Sequence, residues 1–78
     1  MTYTYTPQAG DVIESPDGFE RVVIHYRSTG GKTLRSNRYG LGPDGWKKRT
    51  YGDIIMRPEN YTKLVTDHGW KLVARKDQ

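Results

Sequence analysis

Apolar and polar residues alternate most regularly over residues 19–26, as they do in β-strands. Val22, Ile24 and Tyr26 fall on one face of such a strand, and Val23 and His25 fall on the other. Apolar side chains on both faces favour a strand that is central in a sheet or strongly curved. Shorter runs of the same kind predict strands over 11–14, 33–39, 46–51 and 70–73, with Trp70 and Leu72 pointing inward.

Turn residues punctuate these strands. Pro-Asp-Gly occurs at 16–18 and again at 43–45, each time before an aromatic residue. Proline sets φ at the first central position of a turn, aspartate bonds the nearby backbone, and glycine takes the positive φ that closes the reversal. Residues 28–31, Ser-Thr-Gly-Gly, indicate a further hairpin loop. The chain is therefore expected to fold as hairpins.

A single helix is predicted at about 58–68. Pro58 suits the first helical position, and Glu59 favours the positive end of the helix dipole. An apolar stripe follows at helical spacing, and Gly69 stands where a left-handed C-cap belongs. Because so short a helix is not stable alone in water, the stripe must pack on the sheet. Its members are Tyr61, Leu64, Val65 and His68.

Two segments remain open at this level. Residues 2–6 alternate Thr and Tyr, which fits either an edge strand or a loose terminus. Residues 54–56 form an apolar run too short to classify. At 78 residues the chain is one domain over 1–78, with 1–9 and 75–78 as candidates for loose termini.

The resulting fold class is α+β and mainly β. We expect about five strands with one short helix before the last, arranged as a small twisted antiparallel sheet or a partly open SH3-like barrel. Residues 10–13, Gly-Asp-Val-Ile, then a turn, then residues 21–24, Arg-Val-Val-Ile, resemble the opening of small SH3-like barrels. The whole chain resembles orphan proteins of phages and mobile elements. The resemblance implies a fold and assigns no site residues.

Charge is unevenly distributed along the chain. Residues 1–25 carry one arginine against four acids, whereas residues 26–51 carry seven Lys or Arg against Asp44. A local excess of this size attracts phosphate backbones or acidic protein surfaces. The basic hairpin at about 27–51 is therefore the candidate binding region.

Alternation places Arg35, Asn37 and Tyr39 on one strand face, and Lys47, Arg49 and Tyr51 on one face of the next strand. If the two strands pair, cations and tyrosines interleave on one surface. Cations neutralise phosphates, and aromatic rings stack on unpaired bases. We therefore expect a non-enzymatic module that binds DNA or RNA, and the pattern does not decide between core and surface for Trp46. The candidate contact residues are Arg27, Lys32, Arg35, Arg38, Tyr39, Trp46, Lys47, Lys48, Arg49 and Tyr51.

The alternative is a protein-interaction module of phage type that inhibits or redirects a host protein. Six Tyr, two Trp and one Phe are more aromatic residues than so small a core can hide. Tyr, Trp and Arg are enriched at interface hot spots. The same surface would then contact an acidic host protein. A solvated face that merely keeps the protein soluble is the third interpretation.

Other chemistries find little support in the sequence. Gly31-Lys32-Thr33 ends like a phosphate-binding P-loop, but Tyr26 stands where the motif needs its first glycine. His25 and His68 lack the spacing and the cysteines of a zinc site, and no serine lies in a nucleophile elbow. We expect no enzyme activity, catalytic residue, metal or cofactor. With neither a signal peptide nor an apolar span, we expect a cytoplasmic protein without membrane contact, in the host cytoplasm if it is phage-encoded.

Overall fold

The computed structural model describes residues 4–27, 30–49 and 54–75, with the backbone alone at residues 26 and 27. The elements follow the chain in the order strand, strand, strand, strand, strand, helix, strand. They are β1 (Asp11–Glu14), β2 (Glu20–Arg27), β3 (Leu34–Gly42), β4 (Gly45–Lys48), β5 (Ile54–Met56), α1 (Pro58–Thr66) and β6 (Lys71–Arg75).

All strand pairs are antiparallel, and the sheet runs in the order β4-β3-β2-β1-β6. The short strand β5 pairs with the first half of β3, from Leu34 to Ser36, and β4 pairs with its second half. The predicted class, α+β and mainly β with an antiparallel sheet and one short helix before the last strand, is confirmed, and the sheet is open. The described residues form six strands where about five were expected, because residues 54–56 pair with β3.

The first Pro-Asp-Gly turn closes as its residues predict. Asp17 Oδ1 accepts hydrogen bonds from the Ser15 hydroxyl at 2.5 Å and from the Phe19 amide at 2.9 Å, and Gly18 has a φ of +79°. These bonds hold the pKa of Asp17 below its ordinary value. In the second turn Gly45 has a φ of +105°, so a glycine meets the same backbone demand there.

The helix is two residues shorter than predicted. It begins at Pro58 and ends at Thr66, and Gly69 beyond it has a φ of +77°. The Trp70 amide donates back to the Leu64 carbonyl at 3.0 Å, which satisfies one of the free carbonyls at the helix end. His68 therefore lies beyond the helix and is exposed, while Leu64 and Val65 pack on the core.

The sheet has two distinct faces. The inner face faces α1 and carries the core, and Tyr61 of the helix donates a hydrogen bond to the Leu34 carbonyl at 3.1 Å. The outer face carries the alternate residues of the same strands, among them Glu14, Arg21 and Tyr39. As predicted, Val22 and Ile24 of β2 are buried on one face, and Val23 and His25 lie on the other. Among the described residues, the buried apolar core consists of Tyr5, Ile13, Val22, Ile24, Leu34 and Tyr61.

The N-terminal segment is neither the edge strand nor the loose terminus that the sequence suggested, as far as residues 4–9 are concerned. Tyr5 is 1% exposed and its hydroxyl donates to Asp11 Oδ2 at 2.5 Å. The Thr62 hydroxyl of α1 donates to the Tyr5 carbonyl at 2.9 Å. Arg75, the first residue of the supposedly loose C-terminus, ends β6 and bonds Asp11. Hydrogen bonds through Tyr5 and Asp11 thus join the segment before β1 to α1 and to the end of β6.

Asp11 is fully buried and fully paired. Arg75 Nε lies 2.8 Å from its Oδ1, and the Gln8 amide donates to its Oδ2 at 2.9 Å. Burial alone raises the pKa of Asp11, but the bonds from Arg75, Tyr5 and Gln8 outweigh it, so the pKa lies below its ordinary value. Burial and the Asp11 carboxylate raise the pKa of the Tyr5 hydroxyl.

Candidate nucleic-acid interface

One row of side chains crosses the outer face over five strands. Cross-strand pairing joins Glu14 to Arg21, Arg21 to Tyr39, and Tyr39 to Lys48. At the other end of the row Glu14 pairs with Lys71 of β6. Side chains opposite one another on neighbouring strands lie close enough to interact. The register therefore aligns three cations and an aromatic ring with Glu14 across the sheet. The term outer row denotes these five residues: Lys71, Glu14, Arg21, Tyr39 and Lys48.

A second, apolar row runs beside it. Leu41 of β3 lies opposite Trp46 of β4, and the Leu41 amide donates to the Phe19 carbonyl at 2.9 Å. Phe19 is 60% exposed and Leu41 is 44% exposed, so this row is open to solvent. Large apolar side chains grouped on a surface mark binding sites more often than isolated ones do.

Arg21 connects the two rows. Its guanidinium carbon lies 4.3 Å from the centre of the Trp46 ring, and its Nε lies 3.2 Å from Glu14 Oε1. A cation over an indole face is attracted by the ring quadrupole. Glu14 and Trp46 thus orient the arginine from two sides. Trp46, which the sequence left between core and surface, is partly exposed on an edge strand.

The grouping expected from the sequence is wrong in register. The structure pairs Tyr39 with Lys48 and Gly40 with Lys47, so Lys48 and Trp46 share the face of Tyr39. Lys47 and Arg49 point to the opposite side. The reason is the hairpin loop: β3 extends to Gly42, which lies directly opposite Gly45, and a one-residue difference in register exchanges the faces.

Arg38 and Arg49 are held on the inner side by Glu20. Arg38 Nη2 lies 3.1 Å from Glu20 Oε1 and Arg49 Nη1 lies 2.9 Å from the same oxygen. Arg49 reaches Glu20 over the backbone of Gly40, where an added Cβ would be 2.5 Å from Arg49 Cδ. Lys47 faces Asp44 at 3.8 Å, and both side chains are largely exposed. These predicted contact residues therefore lie apart from the outer row.

The remaining candidates are dispersed or undescribed. Lys32 is exposed in the loop before β3, where it lines a shallow recess with Arg57. Arg35 is half-buried, next to β5 across from Ile55. The side chain of Arg27 and all of Tyr51 lie outside the described residues. Of the ten candidates, the structure brings together Tyr39, Trp46 and Lys48.

Four residues of the two rows were not among the candidates predicted from the sequence: Phe19, Arg21, Leu41 and Lys71. Arg21 lies in the acidic first third of the chain, where a regional charge count hides it. Its position next to buried Val22 was the available signal, because alternation sends it to the face opposite the core. Lys71 could be assigned to the row only after β6 was known to pair with β1.

A shallow depression extends the outer face beside the outer row. Its lining includes Val12, Val23, His25 and Ala74. A β-bulge lies at His25, where Ile24 and Tyr26 pair with consecutive residues of β3, and His25 Nε2 is in hydrogen-bond contact with Asn37 Oδ1. Bulges redirect side chains, and this one sets His25 at the edge of an apolar floor.

Neither a metal site nor a membrane span is found in the described part of the chain. Over residues 4–27, 30–49 and 54–75, no group of three or more His, Asp or Glu is placed to hold a metal ion. Within the same ranges no helix has the length and apolarity needed to cross a membrane. Comparison of the chain with protein-family models, with curated proteins and with solved structures finds no match in any of the three.

Proposed function

We propose that the outer face binds single-stranded DNA or RNA. The observation that carries the proposal is the outer row lying beside Trp46, with Arg21 stacked on the indole ring. Proteins that bind single strands combine cations along the phosphate backbone with aromatic faces on which bases stack. Both kinds of group occur on this face within two adjacent rows.

Each residue has a defined part in this arrangement. Lys48 is exposed, has no ion-pair partner among the described residues and is suited to a phosphate. Lys71, exposed at the far end of the row, is suited to another. Tyr39 and Trp46 supply rings, and the Arg21 guanidinium offers a planar cation that stacks on a base as well as on the indole. The negative charge of Glu14 disfavours a phosphate near Arg21. We therefore assign Arg21 to base stacking.

The charge of the whole molecule supports the same proposal. A net charge of +4 and a pI of about 9.5 favour attraction to a polyanion. Arg38 and Arg49 lie on the inner side with Glu20, so the affinity of the outer face depends on few phosphate contacts. We therefore expect a moderate dependence on salt, in contrast to the steep one of a fully basic surface.

A titration of the protein with fluorescent oligo-dT and oligo-U, read by anisotropy at several salt concentrations, tests the proposal. Two phosphate contacts, at Lys48 and Lys71, predict a slope of log K against log[salt] of about −1.4, at about −0.7 for each contact. Absence of binding to both oligonucleotides at low salt would rule the proposal out. Comparison of the two also decides between DNA and RNA.

Binding to a host protein, as a phage-type inhibitor or adaptor, is a second candidate. The exposed Leu41 favours it, because nucleic-acid binding does not require an aliphatic side chain in this row. Under this proposal the same face contacts an acidic host protein. A pull-down at moderate salt should then recover one dominant protein, which Phe19→Ala with Leu41→Ala releases while oligonucleotides do not compete.

A further inference from the structure

The inner face carries a pocket on the side away from the outer row. Five apolar side chains line it, and Arg38, whose side chain is 44% exposed, closes one side. The cavity measures about 270 Å³, just below the range of pockets that hold drug-sized ligands. The apolar lining residues are Val22, Ile54, Met56, Leu64 and Trp70.

The polar group on the floor of the pocket already has hydrogen-bond partners within the protein. The hydroxyl of Ser36, which also lines it, is within 2.8 Å of the Tyr61 hydroxyl and 3.3 Å of the Ile54 carbonyl. Met56, Leu64 and Trp70 pack against the core and are only partly buried. The part of a ligand that enters is therefore apolar and of the size of one large side chain.

The rim is cationic and has unused donors. Arg38 and Arg49 share the carboxylate of Glu20, which leaves one positive charge uncompensated in the cluster. In the described structure Arg38 uses its Nη2 alone and Arg49 its Nη1 alone. A guanidinium has five N–H donors, so both arginines can donate hydrogen bonds to a further carboxylate.

We propose that this pocket and rim bind an acidic segment of a partner protein, which inserts one apolar side chain between Leu64 and Trp70 and places flanking carboxylates on Arg38 and Arg49. The apolar lining, whose Ser36 hydroxyl is already hydrogen-bonded, favours this occupant over a nucleic acid, and the size of the cavity favours it over a large cofactor. The site lies on the opposite face from the outer row, and it stands whether or not the outer row binds nucleic acid. If both proposals hold, the protein joins a nucleic acid to an acidic protein.

The two tryptophans report the two faces separately. In ¹⁵N-labelled protein each indole N–H gives its own NMR signal, assigned with Trp46→Phe. The probe is the capped peptide Asp-Glu-Phe-Glu-Asp, compared with Asp-Glu-Ala-Glu-Asp and with Lys-Lys-Phe-Lys-Lys. We expect the first peptide to shift the Trp70 indole and the Met56 methyl signals in a saturable way, and the two control peptides to leave them unchanged.

Lys48 and Arg49 are adjacent at the end of β4 and lie on opposite faces, so they provide matched variants. Arg49→Gln should weaken the peptide about two- to fivefold, as removal of a solvent-exposed ion pair does, whereas Lys48→Gln on the other face should not. The proposal fails if the acidic Phe peptide leaves Trp70 unshifted, if the Ala peptide or the basic peptide binds as well, or if the shift occurs at Trp46.

Discussion

Arg21 and Trp46 are in contact although the strands that carry them are not neighbours. Arg21 lies on β2 and Trp46 on β4, and β3 runs between them. The arginine side chain crosses the outer face of β3 to place its guanidinium carbon 4.3 Å from the centre of the indole ring. The contact ties the edge strand β4 to the centre of the sheet and assembles the surface for which we propose a function.

Trp46→Ala tests the stacking role of the indole. Loss of one aromatic stacking partner should weaken binding to a single strand by about 1–3 kcal/mol. Because Trp46 is partly exposed on an edge strand, the fold should survive, with a loss of about 0.5–1 kcal/mol for the broken contact to Arg21. Anisotropy titration and thermal unfolding measure the two effects. Unchanged affinity in a folded variant would exclude Trp46 from the interface.

The two Pro-Asp-Gly turns should respond differently to the same substitution. Asp17 accepts two hydrogen bonds within its turn, whereas Asp44 has one largely exposed contact, with Lys47 at 3.8 Å. Asp17→Ala should lower the free energy of unfolding measurably, because two hydrogen bonds within the turn are lost, and Asp44→Ala should lower it little or not at all. Urea denaturation of both variants measures the difference. Equal losses would show that the Asp17 bonds contribute nothing specific.

Asp11 should make stability depend on acid pH. Its pKa is lowered on folding, so its contribution is fully present above the ordinary value of 3.8 and is lost as the pH falls below it. Asp11→Asn should cost about 2 kcal/mol or more, because Arg75 and Tyr5 lose a charged partner inside the fold.

Unfolding of the wild type and of Asp11→Asn, followed between pH 7 and pH 2, checks this prediction. The wild type should lose more stability on acidification than the variant, which has no carboxyl at this position. Parallel pH profiles for the two proteins would contradict the assignment.

Local signals were sufficient for much of the fold. The alternation in β2, the turn at residues 16–18 and the proline and glycine that flank α1 act through neighbouring residues, and each was predicted. Strand β5 was not, since three apolar residues carry no periodicity and Ile54–Met56 becomes a strand only by pairing with β3. Burial of Tyr5 likewise depends on Asp11 and Thr62, which local pattern does not connect to it.

Which residues belong to the candidate site depends on the register between β3 and β4. The register expected from the sequence was wrong by one residue. Ending β3 at Tyr39 grouped that residue with Lys47 and Arg49, but extension of the strand to Gly42 moves Lys48 to its side. A period of two makes every residue of β4 change face at once. The contact between Arg21 and Trp46 spans the strand β3, which lies between their own strands. Counting charge by region of the sequence groups Arg21 with the acidic residues 1–25 and so hides its place on the outer face.

A comparison of Lys48→Gln with Lys47→Gln shows which face of β4 a single strand contacts. The two lysines are adjacent, exposed and equal in charge, and they lie on opposite faces of β4. In a titration with a fluorescent single strand, Lys48→Gln should weaken binding and reduce the salt slope by about 0.7, while Lys47→Gln should leave both unchanged. Equal effects of the two substitutions, or no effect of Lys48→Gln, would contradict binding by the outer face.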